Sequence, residues 1–380
     1  LGIIIGLATT LALMAWLERK RPRLRRVVLL TISGLLLIVI LFLSLRQTPL
    51  VQENQVLRRL ATISFSAGHS RFLIWQIALR GFKEHPVLGW GPENFIGVFN
   101  KYYDPQLYGD ENWFDRAHNI FLDWLVHTGL LGFLSYISLY VISLYVIWRR
   151  READDVIEPS ILTGLFAAYL IQNLFVFDNL TSYFLFFSVL AYLHYRDAEV
   201  SIEDSPIRSP GSGFPPGWWP IAGVVVIMAL AGSVYFGNLK PLSANRGLIQ
   251  ALSAQNIGES LAQFEKILTT KTLGTSETRI QLASATFRVL ESDKLTPADK
   301  QKFFEFAESQ LKLEIEASPE DARYPLFLGL LLRRVGRDDE GIKYLQLAQS
   351  LSSTKQILLF ELAGAYFNRG DKEKALQLAE

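Results

Sequence analysis

The sequence predicts an all-α membrane protein, a polytopic transmembrane helical bundle followed by a soluble helical domain on the exterior side. Three observations predict it. Half of the 380 residues are hydrophobic and the mean hydropathy is +0.21, and the apolar residues are gathered in blocks. Six such blocks, 1–17, 27–45, 130–148, 160–177, 181–195 and 218–237, approach the ~20 apolar residues that a helix needs to cross the hydrocarbon core. Beyond Asn238 the apolar residues fall instead into an amphipathic helical rhythm.

Backbone polar groups in lipid must be bonded within their own segment, so all six blocks are read as helices. The first opens at Leu1 inside an apolar run and the chain stops at Glu380 inside a helical pattern. It is therefore expected to be a fragment with further membrane helices upstream, and the first block is not read as a signal peptide. Between the first two blocks lies Glu18-Arg19-Lys20-Arg21-Pro22-Arg23-Leu24-Arg25-Arg26, with six basic residues, and after the third block comes Arg149-Arg150-Arg151. By the positive-inside rule both loops are cytoplasmic. The turn at Asp178-Asn179 is then outside, the linker 196–217 inside, and two long stretches, 46–119 and 238–380, face the exterior.

Net charge is +1, which implies no polyelectrolyte partner, so nucleic acid is not expected. The absence of cysteine excludes disulfides, thiolate catalysis and zinc–sulfur sites. The linker carries Pro206, Pro210, Gly211, Gly213, Pro215, Pro216 and Gly217, a composition that makes an irregular tether. Domains are thus expected at 1–237, membrane-embedded, and 238–380, soluble. In the second, helices are expected near 251–268, 275–290 and 297–318. Leu328, Gly329, Leu332, Gly336, Gly341 and Leu345 align with Leu362, Ala363, Tyr366, Gly370, Ala375 and Ala379 at a constant offset of 34. Small residues recur where two helices of a hairpin touch, and the period resembles the tetratricopeptide repeat. Such repeats stack into concave surfaces that bind a protein partner; a generic helical domain is the alternative.

The exterior loop 46–119 is the most informative segment. Residues 70–83 place Phe72, Ile74, Trp75, Ala78, Leu79 and Phe82 at helical spacing, which suits a helix lying at the membrane surface with its apolar face down. Next comes His85-Pro86-Val87-Leu88-Gly89-Trp90-Gly91-Pro92-Glu93-Asn94-Phe95, whose glycines permit backbone shapes that a Cβ forbids. Residues 100–115 follow, with Tyr102, Tyr103, Asp104, Asp110, Glu111, Trp113 and Asp115. Aromatic faces beside amides and carboxylates suit sugar binding, and an interfacial aromatic belt shares the composition. Arg116-Ala117-His118-Asn119 precede a helix at 120–126, and Gly129-Leu130-Leu131-Gly132 open the third block.

This order resembles the O-antigen ligase and polymerase superfamily, which also includes bacterial protein O-oligosaccharyltransferases. The features are an Arg ahead of an aromatic amphipathic helix, P-x-x-G-x-G-x-x-x-F, a Tyr- and Asp-bearing stretch, Ala-His-Asn, and Gly-Leu-Leu-Gly opening a membrane helix. The distal Gln172-Asn173-Leu174-Phe175-Val176-Phe177-Asp178-Asn179 also looks like family members, many of which carry a C-terminal repeat domain. The resemblance covers roughly 71–193. It implies a multi-pass protein of the bacterial cytoplasmic membrane that transfers a glycan from a polyprenyl-diphosphate carrier to a glycan, lipid or protein acceptor outside. It implies no metal and no cofactor, a loop His, and one or more Arg. Carried over, these are His118 and Arg71, with Arg80 as a second candidate and Arg58 and Arg59 further upstream.

The residue types suit that chemistry. Arg is always cationic and grips phosphate oxygens with a bidentate fork. Histidine ordinarily titrates near neutrality and accepts a proton from an attacking hydroxyl. Arg71 and Arg80 are nine residues apart, so on one straight helix they lie about 180° from each other and only one reaches a given phosphate; Arg71 is favoured. Tyr102, Tyr103, Asp104, Asp115 and Asn119 are candidates for binding acceptor or donor hydroxyls. Bland roles compete: His118 as a helix cap, Arg71 as a lipid-phosphate anchor, and Asp178 as a turn former. His69, His85 and His127 read as structural or interfacial. At the level of the whole chain, a non-catalytic membrane scaffold whose repeats recruit a partner is the rival. A transporter should carry ionisable groups in mid-membrane, and these blocks carry almost none.

Overall fold

Every apolar block becomes a helix in the computed structural model, and among the described residues no strand occurs. These residues are 2–17, 21–61, 69–110, 112–149, 156–203 and 219–379, with the backbone only for 199–203 and 219. Glu18, Arg19, Lys20, Glu111, Arg150, Arg151 and the Pro- and Gly-rich residues 206–217 lie outside them.

The chain divides into two compact units, Leu1–Ile207 and Arg208–Glu380. The first holds α1 (Gly2–Leu17), α2 (Pro22–Leu45), α3 (Pro49–Gln52), α4 (Gln55–Ala61), α5 (His69–Glu84), α6 (Phe95–Lys101), α7 (Ile120–Arg149), α8 (Ile157–Asn173) and α9 (Leu180–Glu203). Among the described residues three helices are long and apolar enough to cross a membrane: Pro22–Leu45, Ile120–Arg149 and Pro220–Ser253. The first buries only Val28 of its 24 residues, and the apolar stretch of the third buries none. A helix apolar all round and uncovered by protein is at rest only in lipid.

Close packing in this unit rests on missing side chains. Gly2 and Gly6 of α1 meet Gly164 and Ala168 of α8; a Cβ at Gly6 would stand 2.6 Å from the Gly164 carbonyl oxygen, and one at Gly164 would stand 2.5 Å from that of Gly6. Small residues four apart on both helices let the backbones touch, which is how helices gain contact where lipid removes the hydrophobic drive.

In the second unit α10 (Trp219–Val234) runs through a π-helical turn, Tyr235–Leu239, straight into α11 (Lys240–Ser253). The apolar run ends here but the helix does not. Pro241 lacks an N–H and its ring crowds the carbonyl four residues back, and the wider π turn accommodates both. There follow α12 (Ile257–Thr270), α13 (Thr275–Glu291), α14 (Pro297–Ala317), α15 (Arg323–Arg334), α16 (Asp338–Leu351), α17 (Gln356–Arg369) and α18 (Lys372–Ala379). Phe264, Leu282 and Phe303 centre one core, and Phe304, Tyr324, Leu328 and Leu331 the next. Gly329 and Gly341 let α15 and α16 approach, a Cβ on either meeting the other's carbonyl oxygen at 2.9 or 2.8 Å. Gly336 and Gly370 both turn with left-handed backbone, φ +81° and +90°, ending α15 and α17 in the same way.

Candidate active site

The loop ahead of α7 is held by a break in that helix. At Gly129 the backbone leaves the helix, with φ 64° and ψ −163°, a conformation almost confined to glycine. The break frees carbonyls before it and amides after it, and residues 86–91 take them. Trp90 N donates to Val126 O at 2.8 Å and Gly91 N to His127 O at 3.0 Å, while Leu130 N donates to Pro86 O at 2.8 Å. Contact is tight from both sides: a Cβ at Gly89 would lie 2.5 Å from Val126 O, and one at Gly129 would lie 2.3 Å from Val87 O. The P-x-x-G-x-G stretch and the Gly-Leu-Leu-Gly stretch are therefore two halves of one interlock. Trp90 adds a bond from Nε1 to Gly81 O of α5 at 2.8 Å.

Helix α5 is unbroken from His69 to Glu84. Its apolar stripe, Leu73, Ile74, Ile77 and Ala78, is buried with Phe95, Val98, Phe99 and Val126. The stripe expected to face the membrane surface thus faces protein, because α6 and α7 supply apolar partners; Phe72 and Leu79 stay exposed. Arg71 and Arg80 diverge as their spacing requires. The Arg71 guanidinium lies 6.0 Å from the Phe175 ring centroid, whereas Arg80 is exposed and its field acts on Tyr102. Arg58 and Arg59 lie on exposed positions of α4.

The other candidates spread over the loop. Lys101 and the Tyr102 hydroxyl bond to the Glu84 carboxylate and hold it below the usual carboxylate range; the same bond pushes the Tyr102 hydroxyl up. Tyr103 is buried against Phe99, and burial raises its hydroxyl's pKa. Asp104 caps the short 3-10 turn Pro105–Leu107, its Oδ1 accepting from Gln106 N at 2.9 Å. Asp110 accepts from Ser70 Oγ at 2.7 Å, and His69 Nε2 lies 3.2 Å from Gln106 Oε1, so this stretch is pinned to the start of α5. Asp115 is exposed. Among the described residues no three of His, Asp and Glu gather as metal ligands.

His118 and Asn119 take different jobs. Asn119 caps α7, its Oδ1 accepting from Phe121 N at 3.0 Å and Leu122 N at 3.2 Å. The buried Asp123 reaches back to accept from Ala117 N at 2.8 Å. Between these two anchors His118 is held at φ +53°, a left-handed backbone that costs a non-glycine residue about 1–2 kcal/mol. Its ring lies edge-on between Phe114 and Phe177, at 5.6 and 5.5 Å. Its Nδ1 lies 3.2 Å from the Arg116 carbonyl oxygen. A carbonyl only accepts, so this bond requires the proton on Nδ1 and leaves Nε2 as the basic nitrogen. Helix capping, the rival role for His118, belongs to its neighbour.

Two residues outside the predicted site, Arg116 and Asp178, complete the picture. Arg116 lies 5.2 Å from the Phe177 ring centroid and pairs with Glu93 at 2.6 Å. Asp178 is no mere turn former. Its buried carboxylate accepts from Tyr136 at 3.0 Å, Ser182 at 3.0 Å and Asn173 at 3.3 Å, and from the Tyr169 hydroxyl. The turn between α8 and α9 is fixed by this hub, and it presents Phe175 to Arg71 and Phe177 to Arg116 and His118. The available signal was the set of tyrosine hydroxyls inside apolar helices, which require a polar partner there. Asn179 serves the turn itself, accepting from Ser182 N at 3.0 Å.

Residues 1–137 match the family model described as O-antigen ligase, a segment that contains Arg71, the interlock and His118. No curated protein matches the chain. Over that segment the chain is similar to the O-antigen ligase family.

Proposed function

We propose that this protein is a glycosyltransferase-type enzyme that moves a glycan from a polyprenyl-diphosphate carrier to an acceptor hydroxyl at the outer face of the cytoplasmic membrane. The observation that carries the reading is the meeting of Arg71 and His118 on one turn, at Phe175 and Phe177. In this reading the acceptor oxygen attacks the anomeric carbon, its proton passes to His118 Nε2, and the bond from that carbon to the diphosphate breaks. Arg71 stabilises the charge that collects on the leaving diphosphate, a task suited to a planar guanidinium in a partly buried place. Tyr102, Asp104 and Asp115 stand on the loop surface where a sugar would pass, and no metal takes part.

The test is transfer by purified full-length protein from a polyprenyl-diphosphate-linked glycan in EDTA. Activity should persist. No transfer with or without metal would overturn the reading, and transfer restored only by a divalent ion would move the chemistry to Asp104, Asp110, Glu111 and Asp115.

The same proposal puts 46–119 and 238–380 outside, with 1–237 as the membrane domain, 196–217 as its inner linker and 238–380 as a tetratricopeptide-like domain that holds a protein partner. In support, Gly336 and Gly370 share one left-handed conformation at an offset of 34 residues.

A further inference from the structure

The Arg116–Glu93 pair is built unlike the loop's other polar contacts. Arg116 is largely enclosed, its side chain 28% exposed, while Glu93 is 71% exposed. The guanidinium belongs to the site; the carboxylate reaches it from solvent. Glu93 is also held at φ +63°, a left-handed backbone that a glutamate rarely adopts, directly after the Gly-Trp-Gly-Pro turn that locks into α7. Arg116 packs on the ring of Phe177, the same ring that His118 meets, one residue beyond Val176 from the ring that Arg71 meets. Two guanidiniums and an imidazole therefore border one turn, Phe175-Val176-Phe177, and one of the two guanidiniums is covered by an exposed carboxylate. A carboxylate and a phosphate oxygen offer arginine the same fork of acceptors, and an exposed carboxylate is held only weakly.

We propose that Arg116 is a second binding residue for the donor's diphosphate and that Glu93 occupies it until the diphosphate arrives. This rests on the donor reading above and adds to it a built-in competitor: Arg71 meets one phosphate, Arg116 the other, and Glu93 swings outward as they bind. An empty site keeps its second guanidinium neutralised, which disfavours capture of single phosphates and rewards a ligand able to reach both arginines.

The test is equilibrium binding of farnesyl diphosphate, and separately of farnesyl monophosphate, to the purified full-length protein in detergent. Glu93→Gln should tighten diphosphate binding by roughly tenfold, and Arg116→Gln should weaken it by at least that factor. In the double variant the gain from Glu93→Gln should vanish, since the carboxylate acts only through Arg116. Arg116→Lys, which keeps the charge and the Glu93 pair, should fall between wild type and Arg116→Gln and guards against a folding defect. Glu93→Gln should also narrow the preference for diphosphate over monophosphate. An unchanged or weaker affinity in Glu93→Gln, or an equal gain with and without Arg116, overturns the proposal. If Arg71→Gln abolishes binding while Arg116→Gln and Glu93→Gln do nothing, the donor reading stands and this inference falls. If wild type binds neither probe, both fall.

Discussion

Replacing Gly129 by alanine should open the interlock between α7 and the loop that precedes it. The residue sits at φ 64°, ψ −163°, where a side chain costs about 1–3 kcal/mol in backbone strain alone. The new methyl would also stand 2.3 Å from the Val87 carbonyl carbon and oxygen and 2.6 Å from Leu88 N. These are backbone atoms, so no rotamer change relieves the clash; the loop must move. Moving it stretches the bonds from Leu130 N to Pro86 O, 2.8 Å, and from Trp90 N to Val126 O, 2.8 Å, worth about 1 kcal/mol each. The sum is about 3–5 kcal/mol, and 1.4 kcal/mol is tenfold in an equilibrium, so local opening should rise by at least about 100-fold. Hydrogen exchange followed by mass spectrometry on the purified protein reads this directly, in peptides covering 86–91 and 126–131. Gly109→Ala is the control: it also has positive φ, +97°, but open space around the new Cβ, so it should show strain without clash and a far smaller effect. Exchange in Gly129→Ala no faster than wild type would refute the interlock.

Three further outcomes are expected. Asp178→Ala removes the carboxylate that accepts from the hydroxyls of Tyr136, Tyr169 and Ser182 and from the Asn173 amide; Ser182 keeps the Asn179 carbonyl and Asn173 keeps the Tyr136 hydroxyl, and the loss should cost about 1–3 kcal/mol, read as a lowered melting temperature; Asp178→Asn, which keeps one acceptor oxygen, should recover part of it, and an unshifted Asp178→Ala would remove the hub. Burial pulls the Lys355 ammonium down to about 7 from its ordinary 10.5. Between those values the unfolded chain binds a proton that the folded one does not, so the C-terminal helical unit, expressed from about Leu242, should gain stability as pH rises through the window, by up to about 1.4 kcal/mol per pH unit. Lys355→Met should flatten the climb in urea titrations, and an unaltered slope would contradict it. Single cysteines near Asp110 and Ser276, but not near Asp154, should react with an impermeant thiol reagent in intact cells; labelling of only one of the first two would break the proposed orientation.

Helices were legible wherever hydropathy or periodicity spoke alone. The apolar blocks give α1, α2, α7, α8, α9 and α10 within about five residues except at two ends: α9 runs eight residues past its block to Glu203, and α7 begins ten residues early, since the helix expected at 120–126 and the block at 130–148 join across Gly129. The amphipathic stretch gives α13 and α14 almost as read, while the helix expected near 251–268 is divided between the end of α11 and α12, which begins at Ile257 after a break capped by Asn256. What hydropathy hides is which partner a residue will find. The stripe of α5 had the right spacing for a surface helix, but spacing alone does not tell lipid from α6. Pro86 and Gly129 lie 43 residues apart, and nothing in either stretch announces that one fills the break made by the other. Asp178 reads as a turn residue because an Asp-Asn pair commonly is one; only the gathering of Tyr136, Tyr169 and Asn173 from two helices turns it into a buried acceptor. Within the candidate site, Arg71 and His118 were chosen from residue order, and the spacing argument that set Arg80 apart agrees with an unbroken α5. Tyr103, by contrast, is core rather than surface, because Phe99 one turn earlier draws its ring inward.

In the proposed reaction Arg71 and His118 act in different ways, and a donor titration of the transfer rate separates them. With purified full-length protein and a polyprenyl-diphosphate-linked glycan, His118→Ala should lower kcat by about 10²–10⁴-fold while donor binding survives. Arg71→Lys keeps the charge but loses the bidentate fork, so it should raise the donor KM or slow departure of the diphosphate without disturbing the fold. Wild-type-like transfer by His118→Ala would contradict the account.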